Sequence, residues 1–208
     1  DSQKLEYWMG SAWMQIRTFS PNLGDTQSPA GARGLFSGGS SSRVNTIDYV
    51  TISSGGDAQD FGDMTQGRRG QAAFADRTRG CNAGGETPSS PNVSDIIDFV
   101  TISSTGNAQD FGDLTGGRRT HGTGASQTRG LCIGGYGGGG LASIDTITIA
   151  SEGDATDYGD LALGARWICA GASNATRALL MGGETPSPSY VNEIEYMAIA
   201  STGAGISD

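Results

Sequence analysis

One histidine, three cysteines and thirteen basic residues are all that this 208-residue chain contains of those types, and each scarcity removes a class of function. A lone His121 has no second histidine or cysteine set to build a metal centre, and no Ser/His/Asp triad can be read around it. Three cysteines are an odd number and make a complete disulfide framework impossible. Cys81 and Cys132 fall on equivalent Gly-Gly strands, one position out of register, and Cys169 on another strand; all three read as small buried hydrophobes, tolerable in a reducing cytoplasm. Thirteen Lys and Arg stand against 22 Asp and Glu, a formal charge of −9, which argues against nucleic acid as a partner because phosphate binding needs a cationic stripe. The acidic surface reads first as a solubility device. No apolar run approaches the roughly 18 residues of a membrane span, and no charged-then-apolar leader precedes the fold. The chain opens at Asp1 without a methionine.

What the chain has in abundance is repetition. Ile-Asp-Tyr-Val-Thr-Ile at residues 47–52 returns at 97–102, and in weaker form at 145–149 and 195–199. Asp-Ala-Gln-Asp-Phe-Gly-Asp at 57–63 returns at 107–113 and 154–160. Arg-Gly or Arg-Ala followed by Gly-Gly starts at Arg33, Arg79, Arg129 and Arg177, a period of 46 to 50 residues. Such a period marks a propeller or similar array, in which each unit buries its faces only against its neighbours.

Spacing separates scaffold from decoration. Asp48 to Gly84 spans 36 residues, Asp98 to Gly134 spans 36, and Asp145 to Gly182 spans 37. The interval from the second Gly of each pair to the next acidic residue instead wanders from 9 to 13. A segment free to change length inside a fixed repeat is a surface loop. Residues 40–45, 86–92, 136–143 and 184–192 are accordingly rich in Gly, Ser, Pro, Thr and Asn.

Each unit reads as four short strands: from the axis outward in the second unit, residues 71–75, 80–84, 97–102 and 111–114. The first unit lacks an inner strand and the last an outer one. A gapless alignment of Arg33 on Arg79 lays residues 13–16 over an outer strand and 23–29 over an inner strand. The expectation is a ring of four blades closed by the N-terminal segment, with residues 1–29 as hairpin and closing strands and 30–208 as the repeats of the same domain. A β-solenoid is the alternative, although its rungs are usually shorter.

Arg-Gly, Gly-Gly, a strand, an outer aromatic (Phe61, Phe111, Tyr158) and then Arg (Arg69, Arg119, Arg166) resembles the kelch pattern, without the outer-strand Trp of kelch units. The repeat Asn-Thr-Ile-Asp-Tyr-Val-Thr-Ile-Ser-Ser-Gly-Gly-Asp-Ala-Gln-Asp-Phe-Gly-Asp is similar to those of kelch-like structural and tail proteins of bacteriophages, marine and cyanobacterial ones in particular. The opening Lys-Leu-Glu-Tyr-Trp and Gly-Ser-Ala-Trp resembles a hairpin at the base of phage fibre domains. The resemblance implies an all-β, kelch-like β-propeller on a virion, at the tail or particle surface and synthesised in the host cytoplasm. Other virion or tail proteins, a host cell-surface glycan or protein, and further copies of the chain are the partners it implies; no nucleic acid, membrane insertion or cofactor is expected.

Within that frame the expected role is non-enzymatic: receptor binding by a tail fibre or tail tip, through several weak loop contacts made effective by tethering. The alternatives are a purely structural virion protein and a glycan-degrading tail enzyme. The last needs paired acids in a cleft about 5 to 9.5 Å apart, and Glu86 and Glu184 are the variable-loop acids on offer. Candidate ligand-binding residues are Glu86, Asn92, Tyr136, Glu184, Tyr190 and Asn192. Tyr136 and Tyr190 are flat amphipathic rings suited to stacking on a sugar, or else fold back over their own loops. Trp167 is expected at the axis or plugging the channel. The Asp phrases suit either turn caps or a calcium site, and capping is favoured because Asn107 replaces the first Asp. Arg69, Arg119 and Arg166 are expected to pair with the recurrent Asp residues between blades, or to ring an anion. Residues 137–140 are no phosphate loop, lacking the following Lys-Ser/Thr.

Overall fold

A computed structural model describes residues 5–8, 13–16, 33–39, 42–89, 92–187, 189–201 and 203–207. All of its regular structure is β, arranged as one hairpin and four antiparallel sheets. The hairpin pairs β1 (Leu5–Trp8) with β2 (Trp13–Ile16). Sheet 1 has three strands, β3 (Arg33–Ser37), β4 (Thr46–Thr51) and β5 (Gln59–Asp63). Sheet 2 has four: β6 (Ala72–Ala75), β7 (Arg79–Ala83), β8 (Ile96–Thr101) and β9 (Gln109–Asp113). Sheet 3 repeats them as β10 (Gly122–Ala125), β11 (Arg129–Ile133), β12 (Ser143–Thr148) and β13 (Thr156–Asp160). Sheet 4 holds β14 (Ala170–Ser173), β15 (Arg177–Met181), β16 (Ile194–Ala198) and β17 (Ile206–Ser207). In every sheet the strands lie side by side in chain order, as expected from the repeat.

Ring closure by the N-terminal segment is not what the described residues show. Residues 13–16 pair with β1 and not with sheet 4. Sheet 4 takes its outer strand from the C-terminal residues, with Tyr196 opposite Ile206 and Glu195 opposite Ser207. That is the register in which Tyr49 faces Gln59 and Asp48 faces Asp60. Position along the repeat dictates the strand there, although the Asp-Phe-Gly-Asp phrase is absent. The inner strand expected over residues 23–29 lies outside the described residues.

The hydrophobic core is divided into three layers, one at each junction between consecutive sheets. Ile47, Phe61 and Met64 of sheet 1 meet Val100 of sheet 2. Phe74, Ile97, Phe99 and Phe111 of sheet 2 meet Cys132, Ile147 and Ile149 of sheet 3. Leu131, Ile133, Ile144 and Tyr158 of sheet 3 meet Leu180, Met197 and Ile199 of sheet 4. Both faces of the Ile-Asp-Tyr strand are therefore used, which is why apolar residues stand at neighbouring positions in it.

The Asp-Phe-Gly-Asp phrase is a β-bulge. The register shifts after Ile47, Ile97 and Ile144, leaving Phe61, Phe111 and Tyr158 as the extra residues, turned into the core. Gly62 follows at φ 144°, and a side chain there would strike the Gly106 carbonyl of the next sheet. That close approach makes room for backbone bonds from Gly106 N to Phe61 O and from Ala108 N to Asp63 O, repeated as Gly153 to Phe111 and Gly203 to Tyr158.

Inner strands crowd together, as their small residues anticipate. Thr123 Oγ1 donates to the Ala73 carbonyl, and Ser173 Oγ both accepts from Ala125 N and donates to Ala125 O. Just before them Gly70, Thr120 and Ile168 all adopt left-handed backbone (φ 63°, 52° and 55°). They form a chain of bonds from Thr120 N to Gly70 O and from Ile168 N to Thr120 O.

Candidate functional site

Two sets of arginines follow one another in the sequence, and the structure separates their roles. The first set, Arg68, Arg118 and Arg166, is buried, each forming an ion pair with the acid of an Ile-Asp-Tyr-type strand: Asp98, Asp145 and Glu195. The expected grouping of Arg69 and Arg119 with Arg166 is thus one residue out of register. Trp167 is the third-unit counterpart of Arg69 and Arg119. The Arg-Arg doublets at 68–69 and 118–119 conceal this, because either arginine satisfies the pattern.

These buried pairs are scaffold. Arg68 Nη1 also donates to the carbonyls of Gly84 and Ile96, and Arg118 Nη1 to that of Ser143 at 3.0 Å. Thr65 and Thr115 hydroxyls complete the Asp98 and Asp145 carboxylates. Burial pulls the Asp98 carboxyl upward and the Arg68 guanidinium downward in pKa, the cost that the pairing and the carbonyl bonds offset. With every guanidinium sealed, an arginine ring open to an anion along the axis is not formed by this set.

The second set is different. Glu86, at the start of the second variable loop, is buried and accepts from Arg43, Arg69 and Arg119. Arg43 comes from the first variable loop, Arg69 enters sheet 2 and Arg119 enters sheet 3. The Arg69 guanidinium, 2.8 Å away, and then Arg43 hold the carboxyl down to about 2. Three guanidiniums around one carboxylate leave a surplus of positive charge, on side chains that remain partly exposed. The surplus stands out in a chain of net charge −9, whose buried arginines are each matched to an acid.

Aromatic side chains continue the cluster. Arg119 lies 5.0 Å from the centre of the Tyr136 ring, Tyr136 meets Trp167 edge-on at 5.6 Å, and Trp167 Nε1 donates to Glu184 at 3.1 Å. Backbone bridges fix the row: Arg69 with Glu86, Arg119 with Tyr136, Trp167 with Glu184, and Glu184 with Tyr190. Tyr190 is 83% exposed. The first residue of each of these three loops is thus pinned to the residue entering the inner strand of its own sheet. The result is one strip across sheets 2, 3 and 4 that passes from the cationic Arg69 and Arg119 to the aromatic Tyr136, Trp167 and Tyr190, with Glu86 and Glu184 among them.

Of the candidate ligand residues, Glu86, Tyr136, Glu184 and Tyr190 join this strip. Asn92 and Asn192 do not: Asn92 closes its loop by accepting from Thr87 N, and both are exposed. Glu86 is held as the hub of the arginines and is not offered on the loop surface. Tyr136 bridges Gly140 of its own loop through the backbone, and its ring packs across a junction against Trp167 and Arg119. Arg43, Arg69 and Arg119 were not legible as a group, because each belongs to a different repeat. A usable signal was the phrase Glu-Thr-Pro-Ser, present at residues 86–89 and again at 184–187. In both loops the Thr hydroxyl donates to the carbonyl two residues on, Thr87 to Ser89 and Thr185 to Ser187.

The Asp phrases act between sheets. Asp63 N donates to the Asn107 side chain and Asp113 N to that of Asp154, both at 3.1 Å. An amide and a carboxylate do the same work, so the role is that of an acceptor and needs no charge. Among the described residues no group of three or more His, Cys, Asp and Glu is placed to hold a metal ion. His121 is buried between Gly84 and Gly135, and neither ring nitrogen has a partner among the described residues. Burial, with Arg118 adding to it, pushes its pKa down to about 3. No helix among the described residues is long and apolar enough to cross a membrane.

Compared with known proteins, the chain matches no protein-family model and no curated protein sequence.

Proposed function

We propose that the chain is a non-enzymatic binding module of a phage virion, a kelch-like propeller unit of a tail fibre or tail tip. It meets an acidic saccharide of the host surface with the strip of Arg69, Arg119, Tyr136 and Trp167. The repeats' resemblance to phage tail proteins supports the setting. The observation that carries the binding role is the surplus of guanidinium around Glu86 beside the Tyr136 and Trp167 rings. Guanidinium forks match carboxylate and sulfate oxygens, and aromatic faces match the apolar face of a sugar ring.

Catalysis by the loop acids is the weaker reading. Glu86, held down to about 2, has no proton to give at neutral pH, and Glu184 already accepts from Trp167. A purely structural virion role is favoured by one observation: Glu86 and its arginines also tie loop 1 to sheets 2 and 3.

Calorimetry with acidic and neutral oligosaccharides separates these readings. Binding is expected to favour acidic sugars and to weaken with salt. Arg69→Gln with Arg119→Gln should cost about 1.5 to 3 kcal/mol for each charged hydrogen bond lost. Tyr136→Ala should cost about 1 kcal/mol. Equal binding of acidic and neutral sugars would remove the ligand assignment. Unchanged host adsorption by particles carrying these variants would leave the structural role standing.

A further inference from the structure

The three sheet junctions are built from one set of contacts, and the two end sheets each present half of that set with nothing described against it. At each junction the arginine that opens β3, β7 or β11 donates to a carbonyl just past β8, β12 or β16 of the next sheet. Arg33 reaches Ile102 O at 2.8 Å, Arg79 reaches Ile149 O at 3.0 Å, and Arg129 reaches Ile199 O at 3.3 Å. The Gly-Gly carbonyl-to-amide bonds repeat too, from Gly39, Gly85 and Gly135 to the carbonyls of Arg68, Arg118 and Arg166.

The fourth arginine, Arg177, has no acceptor among the described residues, yet it is already in position. It lies 4.7 Å over the Tyr196 ring, as Arg33 lies 4.7 Å over Tyr49 and Arg79 lies 4.6 Å over Phe99. The matching acceptor is Ile52, on the outer face of sheet 1. Ile52 is 65% exposed, whereas Ile102, Ile149 and Ile199 are 8%, 0% and 1%. Beside it Phe36 is 62% exposed where Asn82, Cys132 and Leu180 are at most 6%. The outer face of sheet 4 mirrors this: Ile194 is 47% exposed where Ile47, Ile97 and Ile144 are at most 1%.

We infer that a second copy of this chain docks head to tail, the outer face of sheet 4 of one copy on the outer face of sheet 1 of the other. Arg177 then donates to Ile52 O of the second copy, and Ile194 and Tyr196 cover Phe36, Val50 and Ile52. The occupant follows from continuity with the three junctions already formed: each sheet 1-type face in the chain is covered by a sheet 4-type face, and these two are the ones left over. The contact is heterologous, so two copies closing on each other make a ring and non-closing copies make a longer stack.

Sedimentation velocity on the full chain over a concentration series tests this, with two single variants, Ile52→Lys and Ile194→Lys. Both positions are exposed, so at concentrations where the wild type is monomeric the circular dichroism and melting temperature should match it. The wild type is expected to associate as concentration rises, and each variant alone to stay monomeric. An equimolar mixture of the two should regain a dimer, because one intact sheet 4 face then meets one intact sheet 1 face. A wild type monomeric throughout overturns the proposal. So does association that survives either variant alone, the mark of a self-complementary face. A monomer destabilised by Ile52→Lys also overturns it, since the face is then covered within its own chain.

Discussion

Arg118 Nη2 donates to the Asp145 carboxylate at 2.8 Å with both side chains sealed from solvent, and the bond joins the segment entering sheet 3 to its central strand. Equivalent pairs hold sheets 2 and 4. An unpaired charge in such a site has no water to turn to, so the two groups stand or fall together.

Asp145→Ala is accordingly expected to destabilise the chain by about 3 to 5 kcal/mol, because it strands the Arg118 guanidinium. Replacing both partners, Arg118→Met with Asp145→Leu, should cost clearly less than the sum of the single changes. Urea denaturation of the four proteins in a double-mutant cycle gives the coupling. Additive single effects would show that the pair is not coupled.

Stability should fall as the solution is acidified, and His121 sets the upper part of that fall. Its folded pKa, about 3, lies below the usual 6.5, so the unfolded chain binds the proton first. The contribution is complete above about pH 6.5 and is lost as pH drops toward 3. Glu86, lowered from 4.5 to about 2, adds a second loss that begins near pH 4.5. Thermal melts of wild type and His121→Gln, which installs the residue found at position 71, separate the two. The variant should lose the slope between pH 6.5 and 4.5 and show a shallower one below, where Glu86 alone contributes.

Ile168 holds a left-handed backbone at φ 55° although it is β-branched, and it is 59% exposed. Gly70 occupies the equivalent place without strain. Ile168→Gly should therefore stabilise the chain by roughly 1 kcal/mol, raising the melting temperature by about 2 to 4 °C for a chain of this size. A lower melting temperature would mean that the isoleucine side chain contributes more packing than the strain costs.

Repetition made the scaffold readable, and its exceptions were the hard part. Strand order and the places of the loops follow from spacing, because a ladder fixes the distance between its own residues. The outer strand at 206–207 keeps its register with none of the usual residues, so the Asp-Phe-Gly-Asp phrase does not mark it. The buried arginines were misaligned by one because doublets carry no register. The strip itself was half legible: Tyr136, Glu184 and Tyr190 stood out by position in the loops. Arg43, Arg69 and Arg119 converge from three repeats onto Glu86, a juxtaposition that only the stacking of sheets creates.

That convergence gives the last prediction. Glu86→Gln removes the one carboxylate among three guanidiniums and leaves like charges facing each other at the start of the loop. The melting temperature in low-salt buffer should fall, the loss amounting to roughly 1 to 3 kcal/mol for a hydrogen-bonded charge. An anion that pairs with the uncompensated guanidiniums should restore it, and sulfate offers the right oxygens to several guanidinium forks at once. Sulfate titrations of wild type and variant, with chloride at matched ionic strength as the control, give the comparison. A larger stabilisation of the variant by sulfate than by chloride identifies the trio as an anion cradle by linkage. Equal responses to the two salts would reduce it to a loop clamp, and the saccharide reading would lose its main support.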